Sequence, residues 1–209
     1  MPGRIIAIDG PAASGKSSVA HAVAVALGYM FVSSGHFYRA LAWGVVRDRI
    51  PGESFQEWIQ CHHLYAEEEG LEIRLVLDGE DVTPHLSEPE VAAMVSKLAV
   101  FPEVRDFVNA LLRTQAGRHD LVIEGRDIGS VVFPETPHKF FLDASPEERA
   151  RRRAKDGTVD SVVERDRLDS TRAIAPLSVP VGAVVIDTTN LTLDQVVATV
   201  LEHLSGLSG

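Results

Sequence analysis

The octet Gly10-Pro11-Ala12-Ala13-Ser14-Gly15-Lys16-Ser17 reads G-x-x-x-x-G-K-[ST], and the segments on either side of it leave few architectures open. Before it, Arg4 to Asp9 holds the unbroken apolar run Ile5-Ile6-Ala7-Ile8, as expected of a strand buried on both faces of a parallel sheet. After it, Val19, Ala20, Val23, Ala24 and Leu27 recur at helical spacing and stop at Gly28, a residue suited to ending a helix. Strand, glycine loop and helix in that order read as a phosphate-binding loop. Glycines let backbone N–H groups curl around phosphate oxygens, and the helix N-terminus adds positive potential. Lys16 reaches the β- and γ-phosphates, and Ser17 offers its hydroxyl to Mg²⁺. The pattern implies a nucleoside triphosphate and leaves the reaction open.

Four more strand-like apolar runs follow, at Tyr29–Val32, Leu121–Ile123, Lys139–Leu142 and Ala183–Ile186, separated mostly by helical patterns. That alternation predicts an α/β fold with a parallel five-stranded sheet flanked by helices. Capping-box spacing marks three helix starts, at Ser87-Glu88-Pro89-Glu90, Ser145-Pro146-Glu147-Glu148 and Thr192-Leu193-Asp194-Gln195. Between about Pro51 and Pro102 the rhythm breaks. Leu71 to Leu77 alternates in part and runs into Asp78-Gly79, which predicts an antiparallel hairpin in an inserted lobe. Ser205–Gly209 is expected to fray.

With 209 residues and 45% hydrophobic content, the chain can bury one substantial core. A net charge of -10 argues against general binding to nucleic acid or anionic membranes, which reward a basic surface. Cys61 is the only cysteine, so no intramolecular disulfide can form. The chain enters a strand almost at once, with no signal-peptide pattern and no apolar run of membrane-spanning length, so a cytoplasmic location is expected.

Two further stretches concentrate chemistry. Glu124-Gly125-Arg126-Asp127-Ile128-Gly129-Ser130 follows directly on a strand, and in an open parallel sheet ligands gather at the carboxyl ends of strands. Arg149, Arg151, Arg152, Arg153, Lys155, Arg165, Arg167 and Arg172 cluster after Ser145. Guanidinium groups pair bidentately with phosphate oxygens, and the alternative reading is a solvated helix paired through Glu147, Glu148, Glu164 and Asp166. The histidines are scattered and His62-His63 are adjacent, so no zinc site is indicated. Met30, Trp43 and Trp58 read as core, and His36 receives no chemical role.

These residues together resemble the bacterial cytidylate kinases, within the nucleoside monophosphate kinases of the P-loop NTPase type. The resemblance covers nearly the whole chain. It rests on Ile8-Asp9-Gly10-Pro11 leading into the phosphate loop, Ser34-Gly35-His36-Phe37-Tyr38-Arg39-Ala40, Gly125-Arg126-Asp127-Ile128-Gly129, Val132-Phe133-Pro134, Glu148-Arg149-Ala150 and Arg172-Ala173-Ile174-Ala175-Pro176-Leu177. It implies one P-loop kinase domain over 1–209, with a core of 1–50 and 103–209, a monophosphate-binding lobe of about 51–102 holding a small antiparallel sheet, and a short lid of about 154–163. It implies Mg²⁺-dependent transfer of the γ-phosphoryl group of ATP to CMP or dCMP by a monomer, by positioning and charge neutralisation rather than a covalent nucleophile.

Residue by residue, the resemblance assigns Gly10, Pro11, Ala12, Ala13, Ser14, Gly15, Lys16, Ser17 and Ser18 to ATP, with Ser17 on Mg²⁺. Lys16, Arg126, Arg165 and Arg172 would hold the charge of the transferring group, and Arg39 and Arg126 the acceptor phosphate. Arg172 also counts among the CMP-binding residues. Ser96, Arg105 and Asp127 match readers of the cytosine edge; Ser34, Arg165 and Asp169 match ribose contacts; Tyr38 matches a residue lining the acceptor site.

Two departures stand out. Ser33 occupies a position that is usually aspartate, which removes a carboxylate near the phosphates, and only Ala154–Val163 joins Arg153 to Glu164 where the family typically carries a longer lid. Arg149, Arg152 and Arg153 are given no site role on that ground. Rival readings are a kinase for UMP, shikimate or another small acceptor, a GTP-dependent switch, and a nucleotide-binding regulator without catalysis. The chain has neither an Asn-Lys-x-Asp guanine signature nor an Asp-x-x-Gly switch signature.

Overall fold

A computed structural model of the chain describes residues 3–51, 54–155 and 177–206. Its centre is a five-stranded parallel sheet built from β1 (Ile5–Asp9), β2 (Met30–Ser33), β6 (Leu121–Gly125), β7 (His138–Asp143) and β8 (Val184–Asp187), in the order β2-β6-β1-β7-β8. These are the five runs expected from their apolar content, each within a residue or two at its ends. Three antiparallel strands, β3 (Leu64–Glu69), β4 (Glu72–Leu77) and β5 (Glu80–Asp81), form a separate small sheet. The helices are α1 (Lys16–Leu27), α2 (Ser34–Arg47), α3 (Phe55–Cys61), α4 (Pro89–Leu98), α5 (Pro102–Ala116), α6 (Pro146–Lys155) and α7 (Leu193–Gly206).

Side chains alternate across a strand, so the run in β1 feeds two cores. Ile6 and Ile8 join Val122, Phe140, Leu142 and Ile186 on one face, closed by Val19 and Val23 of α1 and Val196, Val200 and Leu204 of α7. Ala7 joins Leu121, Ile123 and Val32 on the other, closed by Phe37 and Leu41 of α2 and Val104, Val108 and Leu112 of α5. Full burial of a Val, Leu, Ile or Phe side chain contributes roughly 1.5–3 kcal/mol, so both faces bind their helices firmly. Met30, Trp43 and Trp58 are core residues, as expected.

Three local features differ from the sequence reading. β3 carries Glu67-Glu68-Glu69 and has no apolar alternation, yet it pairs with β4 from Leu64↔Leu77 to Glu69↔Glu72. The first capping box does not form: α4 starts at Pro89 after Glu88, which makes no side-chain cap. Proline at the first helical position needs no N–H partner and has its φ preset, which moves the start past Ser87. Finally, α7 runs through Ser205 and Gly206, with the Ser205 hydroxyl bonded to the Glu202 carbonyl at 2.8 Å.

Candidate active site

A cleft of about 350 Å³ opens at the carboxyl ends of β1, β2 and β6. Ala12, Ala13, Lys16 and Ser17 form its phosphate-loop wall, and Gly10, Pro11, Ser14, Gly15 and Ser18 complete the loop without lining the cleft. Ala13 takes a φ of 60°, a conformation that costs an L residue roughly 1–2 kcal/mol and recurs where a ligand loop is held strained. The Ser14 hydroxyl is buried with no hydrogen-bond partner among the described residues. Nζ of Lys16 donates to the Pro11 carbonyl at 3.2 Å, and α1 begins at this lysine, so its first-turn N–H groups face the loop.

The same cleft is lined by Ser34, Gly35, His36, Tyr38 and Arg39 from α2, Ser96 from α4, Arg105 from α5, and Arg126 and Asp127 just past β6. The described CMP-site residues of the sequence reading, Ser34, Tyr38, Arg39, Ser96, Arg105, Arg126 and Asp127, therefore line one cavity. Arg165, Asp169 and Arg172 lie outside the described residues. Arg39 is oriented by its Nη1 bond to the Leu86 carbonyl at 2.8 Å. Arg105 is 4% exposed and donates through Nη2 to Oδ2 of half-buried Asp127, so the two proposed base readers form one ion pair. Gly125 permits the close approach of β6 to α2, because a Cβ there would stand 2.5 Å from the Ser34 hydroxyl. Burial holds the His36 imidazole below its usual range, opposed by Glu124 and aided by Arg39.

Four residues that the sequence reading quoted but gave no site role stand at or behind the cleft. Glu124 is 5% exposed, accepts a 2.5 Å bond from the Ser33 hydroxyl through Oε1 and places Oε2 3.9 Å from Nζ of Lys16. Its place at the end of a strand beside Arg126 was the available signal. Buried Arg149 donates to the Ala144 carbonyl at 3.0 Å and the Ala12 carbonyl at 3.4 Å, bracing the phosphate loop from behind. Arg152 bonds the Thr188 carbonyl at 2.7 Å and its hydroxyl at 3.1 Å, and that hydroxyl donates to the Ser14 carbonyl at 3.0 Å. Arg153 reaches the cleft itself. The reading of the cluster as a paired helix holds for Glu148, which pairs with Arg151 and Arg152 along α6. No group of three or more His, Cys, Asp or Glu residues able to hold a metal occurs among the described residues.

The family description "Cytidylate kinase" matches residues 6–205. Among similar proteins, a cytidylate kinase from Thermus thermophilus is 44% identical, over 96% of this chain and 98% of that protein. A cytidylate kinase from Caldanaerobacter subterraneus subsp. tengcongensis is 40% identical, over 95% of this chain and 93% of that protein. One from Pelotomaculum thermopropionicum is 39% identical, over 96% and 95%.

Proposed function

The chain belongs to the cytidylate kinase family, and from that premise we propose that it transfers the γ-phosphoryl group of ATP to CMP or dCMP, giving ADP and CDP or dCDP. The observation that carries this reading is that residues of the phosphate loop and Ser34, Arg39, Ser96, Arg105, Arg126 and Asp127 line one cleft. A phosphate oxygen of the acceptor attacks the γ-phosphorus while the bond to the β,γ-bridging oxygen breaks, and the electron pair leaves with ADP.

Such a transfer asks the protein for alignment and charge neutralisation. Lys16 and Arg126 face the cleft where the two phosphate chains would meet, with Arg165 and Arg172 proposed to join them. Arg39 and Arg126 hold the acceptor phosphate, Ser34, Arg165 and Asp169 its ribose, and Tyr38 lines its site. Arg105, Asp127 and Ser96 read the cytosine edge, where a base lacking the matching groups would leave buried polar atoms unpaired. The orphaned Ser14 hydroxyl and the helix-start amides suit an anionic ligand, and Ser17 at the start of α1 fits a cation bridging its phosphates. Bound there, Mg²⁺ would offset charge on the β- and γ-phosphates. Glu124 keeps Lys16 oriented, and displacement of that ion pair by the donor phosphates frees the ammonium for them.

Within this reading the segment of about 51–102 is the monophosphate-binding lobe, 154–163 the lid, of which 156–163 lie outside the described residues, and the protein a cytoplasmic monomer. No helix among the described residues is long and apolar enough to cross a membrane. A coupled ADP-release assay with ATP and a panel of CMP, dCMP, UMP, AMP and shikimate tests the activity. Highest kcat/KM on CMP or dCMP is the expected result, and no turnover with either removes it.

A further inference from the structure

Asp9 ends β1 one residue before the phosphate loop and is 0% exposed. Burying a carboxylate costs several kcal/mol unless hydrogen bonds hold it. Its Oδ1 accepts the Ile128 N–H at 2.8 Å and its Oδ2 the Gly129 N–H at 2.7 Å, both buried. Those two amides open a π-type turn, Ile128–Val132, in which the Asp127 carbonyl accepts the Val132 N–H at 3.2 Å and the Ile128 carbonyl accepts the Phe133 N–H at 2.7 Å. Turns of this kind recur at functional sites. Burial, together with the nearby carboxylates of Asp127 and Glu124, pushes the Asp9 carboxyl up to about 6, against the pull of its two amide bonds.

The sheet does not require this carboxylate. β1 and β6 already pair over five positions, from Ile5↔Leu121 to Asp9↔Gly125. What Asp9 adds lies past the last of these pairs, where the chain leaves the sheet through Arg126 and Asp127. Resting on the kinase reading above, we propose that Asp9 is a positioning residue for phosphoryl transfer. It clamps Ile128 and Gly129 so that the segment carrying Arg126 and Asp127 keeps a fixed place relative to the phosphate loop that begins at Gly10. Donor and acceptor grips then form one rigid unit across the cleft. Alignment is most of what this chemistry needs, and a misplacement of about 1 Å costs on the order of 100-fold in rate.

Asp9→Asn keeps the size and one acceptor but turns an amide NH₂ toward the second backbone N–H, which it cannot bond. The test compares kcat, KM for ATP and KM for CMP in the purified full-length wild type and D9N. A fall in kcat of tenfold or more with KM for ATP within twofold is expected. Values of kcat and both KM within twofold of wild type overturn the role, as does an equal rise in both KM at unchanged kcat. Should D9N not fold, hydrogen exchange on the wild type decides: Ile128 and Gly129 amides protected for hours support the clamp, and exchange within minutes overturns it. Wild-type protein inert toward CMP and dCMP would remove the kinase reading itself, whereas an active wild type with an unaffected D9N would remove only Asp9.

Discussion

Ser33 stands where the family resemblance implies a carboxylate, and the neighbouring strand supplies one, since Glu124 is bonded to the Ser33 hydroxyl and lies 3.9 Å from Nζ of Lys16. The negative charge has an address that the sequence alone could not supply, because β2 and β6 are 91 positions apart at this contact and meet only through the sheet. Arg105 and Asp127 are coupled in the same way across 22 positions. Removing the guanidinium by Arg105→Ala takes its ion-pair partner from half-buried Asp127, a loss of roughly 1–3 kcal/mol, below the cost of breaking a fully buried pair. The expected outcome is a lower melting temperature together with at least a tenfold fall in the preference for CMP over UMP, read as the ratio of kcat/KM values. An unchanged ratio would show that the pair braces the fold without reading the base.

Helix starts show how far local chemistry reaches. At Thr192 the box closes both ways: the Gln195 N–H meets the threonine hydroxyl at 3.3 Å and the Thr192 N–H meets Oε1 of Gln195 at 2.9 Å. At Ser145 only half forms, because the hydroxyl takes the Glu148 N–H while the Glu148 carboxylate turns to Arg151 and Arg152. The Ser145 N–H goes instead to the Thr189 hydroxyl, a partner 44 positions away. The β4–β5 turn was legible because Asp78 and Gly79 both take positive φ, 54° and 87°, the pattern of a two-residue type I′ hairpin. Gly79→Ala has open space around its Cβ, so the backbone alone decides, and it should destabilise by about 1 kcal/mol in urea unfolding. No change would mean the turn relaxes freely. β3 was not legible: three consecutive glutamates carry no strand signal, and the partner strand supplies it, including the Arg74–Glu67 ion pair across the ladder.

At the scale of the molecule, one polar cluster ties the end of α2 to the small sheet and α3. Asp48 accepts from Arg47 Nε at 2.7 Å and Trp58 Nε1 at 2.8 Å, while His62 stacks on Trp58 and bonds Asp78 at 2.5 Å. The Arg47 bond, aided by Trp58, holds the Asp48 carboxyl at about 2, below its ordinary 3.8. A depressed carboxyl stabilises the fold above the unfolded value and loses that contribution as pH falls through the folded one. After discounting for solvent screening, Asp48→Asn should cost about 1 kcal/mol at pH 6, the gap shrinking toward zero between about pH 4 and pH 2. A gap constant across that range would assign the loss to packing. The sequence by itself determined the five core strands, the β4–β5 turn and the phosphate loop, because hydrophobic period, turn chemistry and a spaced motif are local properties; Ser34, Tyr38, Arg39, Ser96 and Arg105 came to the cleft only through the family resemblance. Only the tertiary structure decided that Asp9 holds the Arg126 segment, that Glu124 faces Lys16 beside Ser33, and that Arg149 and Arg152 brace the phosphate loop. Those are pairings of buried charge with distant backbone and side-chain groups, and nothing in a one-dimensional pattern sets which remote atom satisfies a buried donor or acceptor.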